Sequence, residues 1–418
     1  MDDLIISFLG PSKYLEAYYE FNGIKTRKSY SFIQEAILEL FNDKLSEPSK
    51  FIIVLTELSR IKNWYSKSES ELALNEFGLK DLLINLKSDL KIDIIIEDLL
   101  IPEGKSEKEL WEIFDKITKA IPENSNVILD ITHSYRSLPL LSIIILNYVR
   151  FLKRVNINRI IYGALEAKGS VKDVEKLPIN ERVIPIFNLT PFSSLFDWTI
   201  AIERFLETGD AKVIQELGKS ELISNLKESK GKIGKNLIKL INMLSSFSNK
   251  VSMCRGPEIR KNIKGIANTM KEARKEISLI KPFSPLFNKV ESQFNDFNIE
   301  DDILQMIEIS RWCFEKGLIQ QSLTFLRETI INYVIKNYLK TNSNNYQLLY
   351  VQEDVREKAT NLLNEKATDL PKKLIDLWTS LIQFRNDINH AGWRKCMNPV
   401  RTIKQKCEFF INQLKDFF

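Results

Sequence analysis

Short apolar runs alternate with amphipathic stretches along the first 190 residues, and this alternation limits the possible folds more than any other feature. Runs such as Leu4–Leu9, Phe51–Leu55 and Val127–Ile131 are rich in Ile, Val and Phe. Near-continuous apolar runs of this length are typical of strands buried on both faces of a parallel sheet. Amphipathic stretches such as Ser137–Lys153 separate them. The pattern predicts a Rossmann-like α/β domain with a mostly parallel sheet over residues 1–190.

The pattern changes after Thr190-Pro191, where helical stretches follow one another without a convincing strand. We therefore predict an all-helical domain over residues 191–418. Within it, Lys281–Asn298 holds two prolines and four phenylalanines, which indicates an ordered connector between helices. The predicted fold class is α/β plus all-α.

Composition excludes several classes of protein. Hydrophobic residues make up 44% of the chain, too many for a disordered protein, and no apolar stretch approaches the roughly 20 residues of a membrane span. The first residues are acidic, unlike a signal peptide, so we expect a cytoplasmic protein with no membrane association. The four cysteines form no CxxC pair and there are two histidines, so we expect free thiols and no metal site.

Charge divides along the same boundary. Residues 1–190 carry 25 basic and 28 acidic side chains, whereas the remainder carries a net charge of +8. The basic excess is compatible with a polyanionic partner for the helical half, but a solvated basic surface is the commoner explanation.

The first candidate site is the segment Asp130-Ile131-Thr132-His133-Ser134-Tyr135-Arg136-Ser137, which follows a predicted strand and precedes a predicted helix. Open α/β sheets bind ligands at this position, beyond the carboxyl ends of their strands. Free N–H groups at the helix start and the guanidinium of Arg136 both favour a phosphate. Polar loops also follow the first two predicted strands, at Gly10-Pro11-Ser12-Lys13-Tyr14 and Thr56-Glu57. The three loops together predict a nucleotide pocket.

A structural role for the first segment is equally compatible with the residues, since Ser134 and Ser137 could cap the helix while His133 packs against it. The segment has neither the GxGxxG of a dinucleotide site nor the GxxxxGK[ST] of a P-loop. Any nucleotide bound here is therefore held in another way.

The second candidate site is Arg385-Asn386-Asp387-Ile388-Asn389-His390, at the end of a predicted helix. Arg385 and His390 lie five residues apart, about 140° around an ideal helix at roughly 100° per residue. One helix cannot easily bring both to a single phosphate, but two copies facing each other across a dimer axis could. An arginine can stabilise a phosphorane and a histidine can transfer protons at neutral pH, which suffices for metal-independent RNA cleavage. An ordinary helix end, with Gly392 as the stop signal, remains the alternative.

The two motifs in this order resemble those of the CRISPR-associated ribonucleases that join an N-terminal CARF domain to a C-terminal HEPN domain, the Csx and Csm accessory nucleases of type III systems. On the CARF side the resemblance depends on Ile5–Gly10 and Leu129–Ser137. On the HEPN side it depends on Leu195–Trp198 and Arg385-Asn386-x-x-x-His390. The segment of about 212–298 is the least similar and is interpreted as a helical insertion.

The resemblance implies that a dimer of CARF domains binds a cyclic oligoadenylate, with cyclic tetra-adenylate expected first and cyclic hexa-adenylate second. The implied contact residues are Gly10, Pro11, Ser12, Lys13, Thr56, Thr132, His133, Ser134 and Arg136.

The resemblance also implies that the activated HEPN domains cut single-stranded RNA with little sequence preference, leaving a 2′,3′-cyclic phosphate. The composite site would combine two copies of three residues. Arg385 would hold the phosphate, His390 would transfer protons and Asn386 would orient them. The implied assembly is a homodimer or a higher oligomer that needs no metal.

Two other classes of protein remain open. A CARF-like sensor can carry nucleic-acid-binding helices in place of a nuclease, although a helix-turn-helix needs far fewer than the 228 residues of this helical half. A conventional α/β enzyme could use Asp130, His133 and Ser134, but these residues are close together in sequence and no GxSxG motif accompanies them.

Overall fold

The chain divides into two compact units, Met1–Ser194 and Leu195–Phe418. The computed structural model describes residues 3–42, 45, 49–133, 138–222, 234–279, 284–339, 346–393, 395 and 397–418.

The first unit contains an eight-stranded sheet. Its strands are β1 (Asp3–Leu9), β2 (Tyr18–Phe21), β3 (Ile24–Lys25), β4 (Ser49–Leu55), β5 (Ile94–Leu100), β6 (Asn126–Asp130), β7 (Asn156–Gly163) and β8 (Val183–Asn188).

The central strands of the sheet are parallel. The strand order is β3-β2-β8-β7-β6-β1-β4-β5, and β5, β4, β1, β6 and β7 all run in the same direction. β8 is antiparallel to β7 and β3 is antiparallel to β2. From β1 the chain continues to β4 on one side and later to β6 on the other, so the strand order reverses beside β1. This confirms the predicted mostly parallel sheet and places a topological switch point next to β1.

Helices cover both faces of the sheet. In the first unit they are α1 (Ile33–Phe41), α2 (Glu57–Ser59), α3 (Leu79–Leu90), α4 (Glu107–Ala120), α5 (Leu138–Lys153) and α6 (Val171–Glu175). Because side chains alternate along a strand, Ile5 of β1 packs with α1 and α3, whereas Ile6 and Phe8 pack with α4 and α5. The sheet therefore separates two hydrophobic cores.

The second unit is helical throughout its described residues, as predicted. Its helices, counted from the one that crosses the division at Ser194, are α7 (Thr190–Thr208), α8 (Lys212–Leu217), α9 (Lys235–Ser252), α10 (Gly256–Leu279), α11 (Ser284–Asn295), α12 (Asp302–Glu315), α13 (Ile319–Tyr338), α14 (Tyr346–Leu349), α15 (Glu353–Asn364), α16 (Lys372–Asn389) and α17 (Val400–Phe417).

Two hydrophobic clusters stabilise these helices. The first includes Trp198, Phe247 and Phe294 from α7, α9 and α11, and the second includes Ile330, Leu381 and Phe410 from α13, α16 and α17. α12 contributes to both, since Ile309 lies in the first cluster and Ile307 in the second. None of the described helices is long and apolar enough to cross a membrane.

Two local predictions were wrong or incomplete. The predicted connector Lys281–Asn298 contains α11, because Phe287, Val290 and Phe294 recur at helical spacing and are buried in the first helical cluster. Strands β2 and β3 were not predicted, because they are short and lie at the edge of the sheet.

A buried carboxyl group in α1 predicts a stability that depends on pH. Glu35 is 6% exposed, and burial raises its pKa to about 7, although the Phe32 N–H and the charge of Lys28 oppose this. A folded-state pKa above the unfolded value means that the stabilisation is present below about pH 4.5 and is lost as the pH rises through 7. We expect ionisation of Glu35 by itself to lower the free energy of unfolding by about 2–3 kcal/mol between pH 5 and pH 8.

Urea unfolding of the wild type and of Glu35→Gln at both pH values measures this effect. The free energy of unfolding of the wild type, taken relative to Glu35→Gln, should fall by that amount between the two pH values, whereas taken relative to Glu57→Gln, which changes an exposed carboxylate, it should stay constant. Equal pH dependence in wild type and Glu35→Gln would assign the effect to other groups.

Candidate functional site

A cavity of about 290 Å³ opens at the switch point of the sheet, beyond the carboxyl ends of β1, β4 and β6. The three polar loops predicted to meet at this edge all contribute to its wall. Six of the nine predicted contact residues line it, namely Gly10, Pro11, Ser12, Thr56, Thr132 and His133. Lys13 is exposed and is not one of the lining residues, and Ser134 and Arg136 lie outside the described residues.

The loop after β1 is held in place by Tyr14 and Asn63. The Gly10 N–H donates to Tyr14 Oη at 2.7 Å, and that hydroxyl donates back to the Gly10 carbonyl oxygen at 3.0 Å. Asn63 Nδ2 donates to the carbonyl oxygens of Gly10 and Ser12 at 2.7 and 2.9 Å. A Cβ at position 10 would lie 2.9 Å from Tyr14 Oη, so any other residue there would displace the tyrosine hydroxyl from its present position.

The loop after β6 is anchored by the buried carboxylate of Asp130. Ser7 Oγ donates to Asp130 Oδ2 at 2.5 Å, and the N–H and hydroxyl of Thr132 both donate to Oδ1. Burial raises the pKa of Asp130, and the hydrogen bonds from Ser7 and Thr132 oppose that rise. The Thr132 hydroxyl also accepts from the Gly163 N–H at 2.8 Å. Thr132 therefore has no hydroxyl proton left for a ligand and acts mainly by shaping the loop.

His133 forms an uncharged aromatic part of the cavity wall. Its ring lies 4.3 Å from that of Tyr14, measured between centroids, and burial lowers its pKa to about 4. At neutral pH the imidazole is therefore uncharged and can contact a base or ribose but does not neutralise a phosphate. Tyr14 belongs to one of the three loops predicted to form the pocket, but it was not among the predicted contact residues, and the structure places it in the cavity wall.

In the helical unit, the second candidate site lies at the carboxyl end of α16. Arg385 and Asn386 are partly buried in its last turns, and His390 is the exposed residue that follows the helix. Arg385 Nη1 donates to Asn386 Oδ1 at 3.2 Å. With its amide oxygen turned toward the guanidinium, Asn389 accepts from Arg385 Nε at 2.8 Å and from Nη2 at 2.9 Å. Two asparagines therefore orient the arginine.

A buried aspartate holds the chain after His390 against the helix end. Asp387 is 1% exposed, and its Oδ2 accepts from the backbone N–H and the Nδ2 of Asn398, both at 2.8 Å. The Gly392 N–H donates to the Asp387 carbonyl oxygen at 2.9 Å, and the φ angle of Gly392 is +73°. This conformation suits glycine and turns the chain sharply after His390.

Arg385 belongs to a cluster of cations that sequence reasoning missed. Arg327 and Arg356, on α13 and α15, both form ion pairs with the carboxylate of Glu328. The guanidinium of Arg327 also lies 5.7 Å from the centre of the Trp378 ring. Trp378 belongs to α16, the helix that carries Arg385. Burial lowers the pKa of Arg385, and the charge of Arg327 lowers it further. Three arginines and one glutamate give this region an excess of positive charge.

Comparison with known proteins divides the chain into matched segments. Residues 4–166 match the family described as CRISPR system endoribonuclease Csx1, CARF domain, and residues 194–302 match the second domain of CRISPR-associated protein MJ1674. The findings support a CRISPR-associated CARF protein. The curated CRISPR-associated protein MJ1674 of Methanocaldococcus jannaschii is 24% identical over 331 residues, covering 76% of this chain. The chain spans 46% of the length of that relative.

The cavity at the switch point lies within the CARF match, whereas Arg385, Asn386 and His390 lie beyond both matched ranges. The CARF domain is thus supported by both fold and comparison, and the HEPN assignment stays a prediction. Over the described ranges, no group of three or more His, Cys, Asp or Glu side chains is arranged to hold a metal ion. Cys254, Cys313 and Cys407 are free thiols, as expected, and Cys396 lies outside the described residues.

Proposed function

We propose that this CARF protein is a cytoplasmic endoribonuclease of type III CRISPR defence that a cyclic oligoadenylate activates, with cyclic tetra-adenylate as the first expected activator. The observation that carries the proposal is the cavity at the switch point of a sheet that matches the Csx1 CARF domain. Its mixed wall of hydroxyl groups, apolar side chains and two aromatic rings suits adenine and ribose. The exposed Lys13 supplies a cation for the phosphates beside it.

For the catalytic step we propose two copies of the α16 end acting on one RNA phosphate. Attack of the 2′-oxygen on phosphorus breaks the bond to the 5′-oxygen and leaves a 2′,3′-cyclic phosphate and a 5′-hydroxyl. One His390 imidazole removes the 2′-hydroxyl proton, and its counterpart supplies a proton to the leaving 5′-oxygen. Arg385, oriented by Asn386 and Asn389, stabilises the charge that develops on the phosphoryl oxygens.

A dimer is part of the proposal because the CARF unit exposes an apolar stripe on α5. Leu140, Ile144, Tyr148 and Phe151 share one face of this helix and are 65%, 50%, 45% and 88% exposed. An aromatic row continues the stripe onto α4, since the Tyr148 ring contacts Phe114. Because Leu138 at the start of α5 lines the cavity, pairing of two copies through this stripe would bring two cavities near one axis.

We expect Ile144→Asp/Phe151→Asp to be monomeric and to lose at least 100-fold in RNA cleavage. Burying two carboxylates in this apolar interface costs more free energy than the interface contributes, so the dimer does not form. A composite active site cannot form from one copy. Light scattering after gel filtration measures the oligomeric state beside the cleavage rate. Val171→Asp, at a position 53% exposed outside the stripe, is the matched control and should stay dimeric. A dimeric, fully active double variant would show that α5 does not form the interface.

The proposed function is tested by cleavage of a fluorogenic single-stranded RNA in EDTA, with cyclic tri-, tetra- and hexa-adenylate each added separately. We expect cutting with one ring and none without a ring. Tight binding of a ring without any cutting would support the sensor role and contradict the nuclease role. The protein would then be interpreted as a nucleotide-sensing regulator.

A further inference from the structure

A second cavity, of about 360 Å³, lies in the helical unit between α8, α9 and the start of α10. Its floor is a polar stripe of α9, formed by Asn242, Ser245, Ser246 and Asn249. These residues recur at helical spacing opposite the positions of α9 that are buried in the hydrophobic cluster. The volume falls within the range of about 300–1,000 Å³ that small-molecule sites occupy.

The wall of this cavity carries both charge and unused hydrogen-bonding capacity. Lys250 and Arg255 supply two cations, and the single carboxylate, Glu258, lies 3.9 Å from Lys250. Ser245 is 6% exposed and lines the cavity, and within the described part of the chain no group hydrogen-bonds its hydroxyl. The hydroxyl faces the cavity and is available to donate to or accept from a polar group bound there.

Arg385 acts electrostatically on one end of the cavity wall. Cys254 lies between two residues of that wall, Met253 and Arg255, and the charge of the Arg385 guanidinium lowers the pKa of its thiol, although burial raises it. The arginine therefore lies in the same region of the helical unit as this end of the cavity. All the cavity residues lie in the segment that matches the MJ1674 second domain, whereas Arg385 lies outside it.

We propose that this cavity holds one nucleotide of the single-stranded RNA, next to the phosphate bound by Arg385. The side-chain amides of Asn242 and Asn249 each offer a donor and an acceptor, as the edge of a base does, and the serine hydroxyls match a 2′-hydroxyl. Lys250 and Arg255 face the flanking phosphates. The inference rests on the proposed nuclease function and gives the helical segment 212–298 a role in substrate binding.

We expect Asn242→Ala/Asn249→Ala to raise the Kd for a fluorescent single-stranded RNA about tenfold, because two hydrogen-bonding side chains are removed. Fluorescence anisotropy in a His390→Ala background, with the activating ring present, measures binding without cleavage. With His390 intact, the same pair should raise KM about tenfold and leave kcat unchanged. Asn268→Ala, at an exposed position on α10 outside the cavity, is the matched control.

A second pair of variants tests the phosphate contacts. Lys250→Ala/Arg255→Ala should lower the steepness of log Kd against log salt by about 1.4, since each lost phosphate contact on a single strand contributes about 0.7. Lys264→Ala, exposed on α10 and outside the cavity, should change the slope by less than half as much.

The outcomes separate this inference from the proposed function. Weaker RNA binding by both pairs, with unchanged binding of the cyclic oligoadenylate, supports the nucleotide subsite. If both pairs bound RNA as the wild type does while the wild type still cleaved it, the subsite would be overturned and the nuclease would stand. If the wild type neither bound nor cut RNA with any ring, both proposals would be overturned.

Discussion

His390→Ala should lower the rate of RNA cleavage by about 100- to 10,000-fold, the usual contribution of a general acid–base group. The chain has two histidines, and the other, His133, lies in the CARF cavity with its pKa lowered to about 4. His390 is exposed at the end of α16, five residues after an arginine held by two asparagines. His390 is therefore the imidazole that the proposal assigns to proton transfer.

The measurement is the single-turnover rate on a fluorogenic RNA with saturating activator. Binding of the activator to the variant should match the wild type, which separates loss of chemistry from loss of folding. Thr379→Ala, at an exposed position on the same helix, is the matched control and should cut at the wild-type rate. Unreduced cleavage by His390→Ala would remove the histidine from the mechanism.

The proposed chemistry also determines the products. RNA ends left by the wild type should carry a 2′,3′-cyclic phosphate, detectable by mass spectrometry. A 2′-deoxynucleotide on the 5′ side of the scissile bond should prevent cutting there, because the attacking oxygen is missing.

Gly10→Val should weaken binding of the cyclic oligoadenylate by about 10- to 100-fold and reduce activation accordingly. A Cβ at this position lies 2.9 Å from Tyr14 Oη, so the valine displaces the tyrosine that accepts from the Gly10 N–H. If the ring binds the loop in its present position, returning the displaced tyrosine costs about 1–3 kcal/mol, the usual cost of overpacking, and each 1.4 kcal/mol is a factor of about ten in Kd. The added methyl groups also occupy part of a cavity of about 290 Å³.

Isothermal titration with cyclic tetra-adenylate measures the affinity. Gly256→Val is the matched control, because a Cβ there meets its nearest neighbour, Met306 Cε, at 3.6 Å, an ordinary contact. Its affinity for the ring should equal that of the wild type. Wild-type affinity in Gly10→Val would place the bound ring away from the loop after β1.

The fold class could be predicted because burial leaves a direct pattern in the sequence. The run Phe51–Leu55 is apolar throughout, and Val127–Ile131 is apolar except for Asp130, because β4 and β6 are covered on both faces. Strands β2 and β3 lack that pattern, since β2 buries only alternate side chains and both residues of β3 are exposed. α11 was missed because the two prolines and four phenylalanines of Lys281–Asn298 suggested a connector, although Phe287 and Phe294 pack at helical spacing.

The sequence by itself determined the alternation of strands and helices in the first unit, the helical character of the second, and the loops at the carboxyl ends of the central strands. These properties follow from residues close together in the chain. Only the tertiary structure decided which distant side chains meet. It brought Tyr14 against His133, Asn63 under the loop of Gly10, and Ser7 to Asp130.

The sequence likewise did not predict that the arginines of α13 and α15 would meet at one carboxylate. It also did not predict the cavity on the polar face of α9. Arg327 and Arg356 lie 29 positions apart in the chain and meet at a single carboxylate, that of Glu328. A linear pattern records which face of a helix is buried, because burial repeats with the helical period. It does not record which other helix packs there, because that depends on how several elements fill one volume.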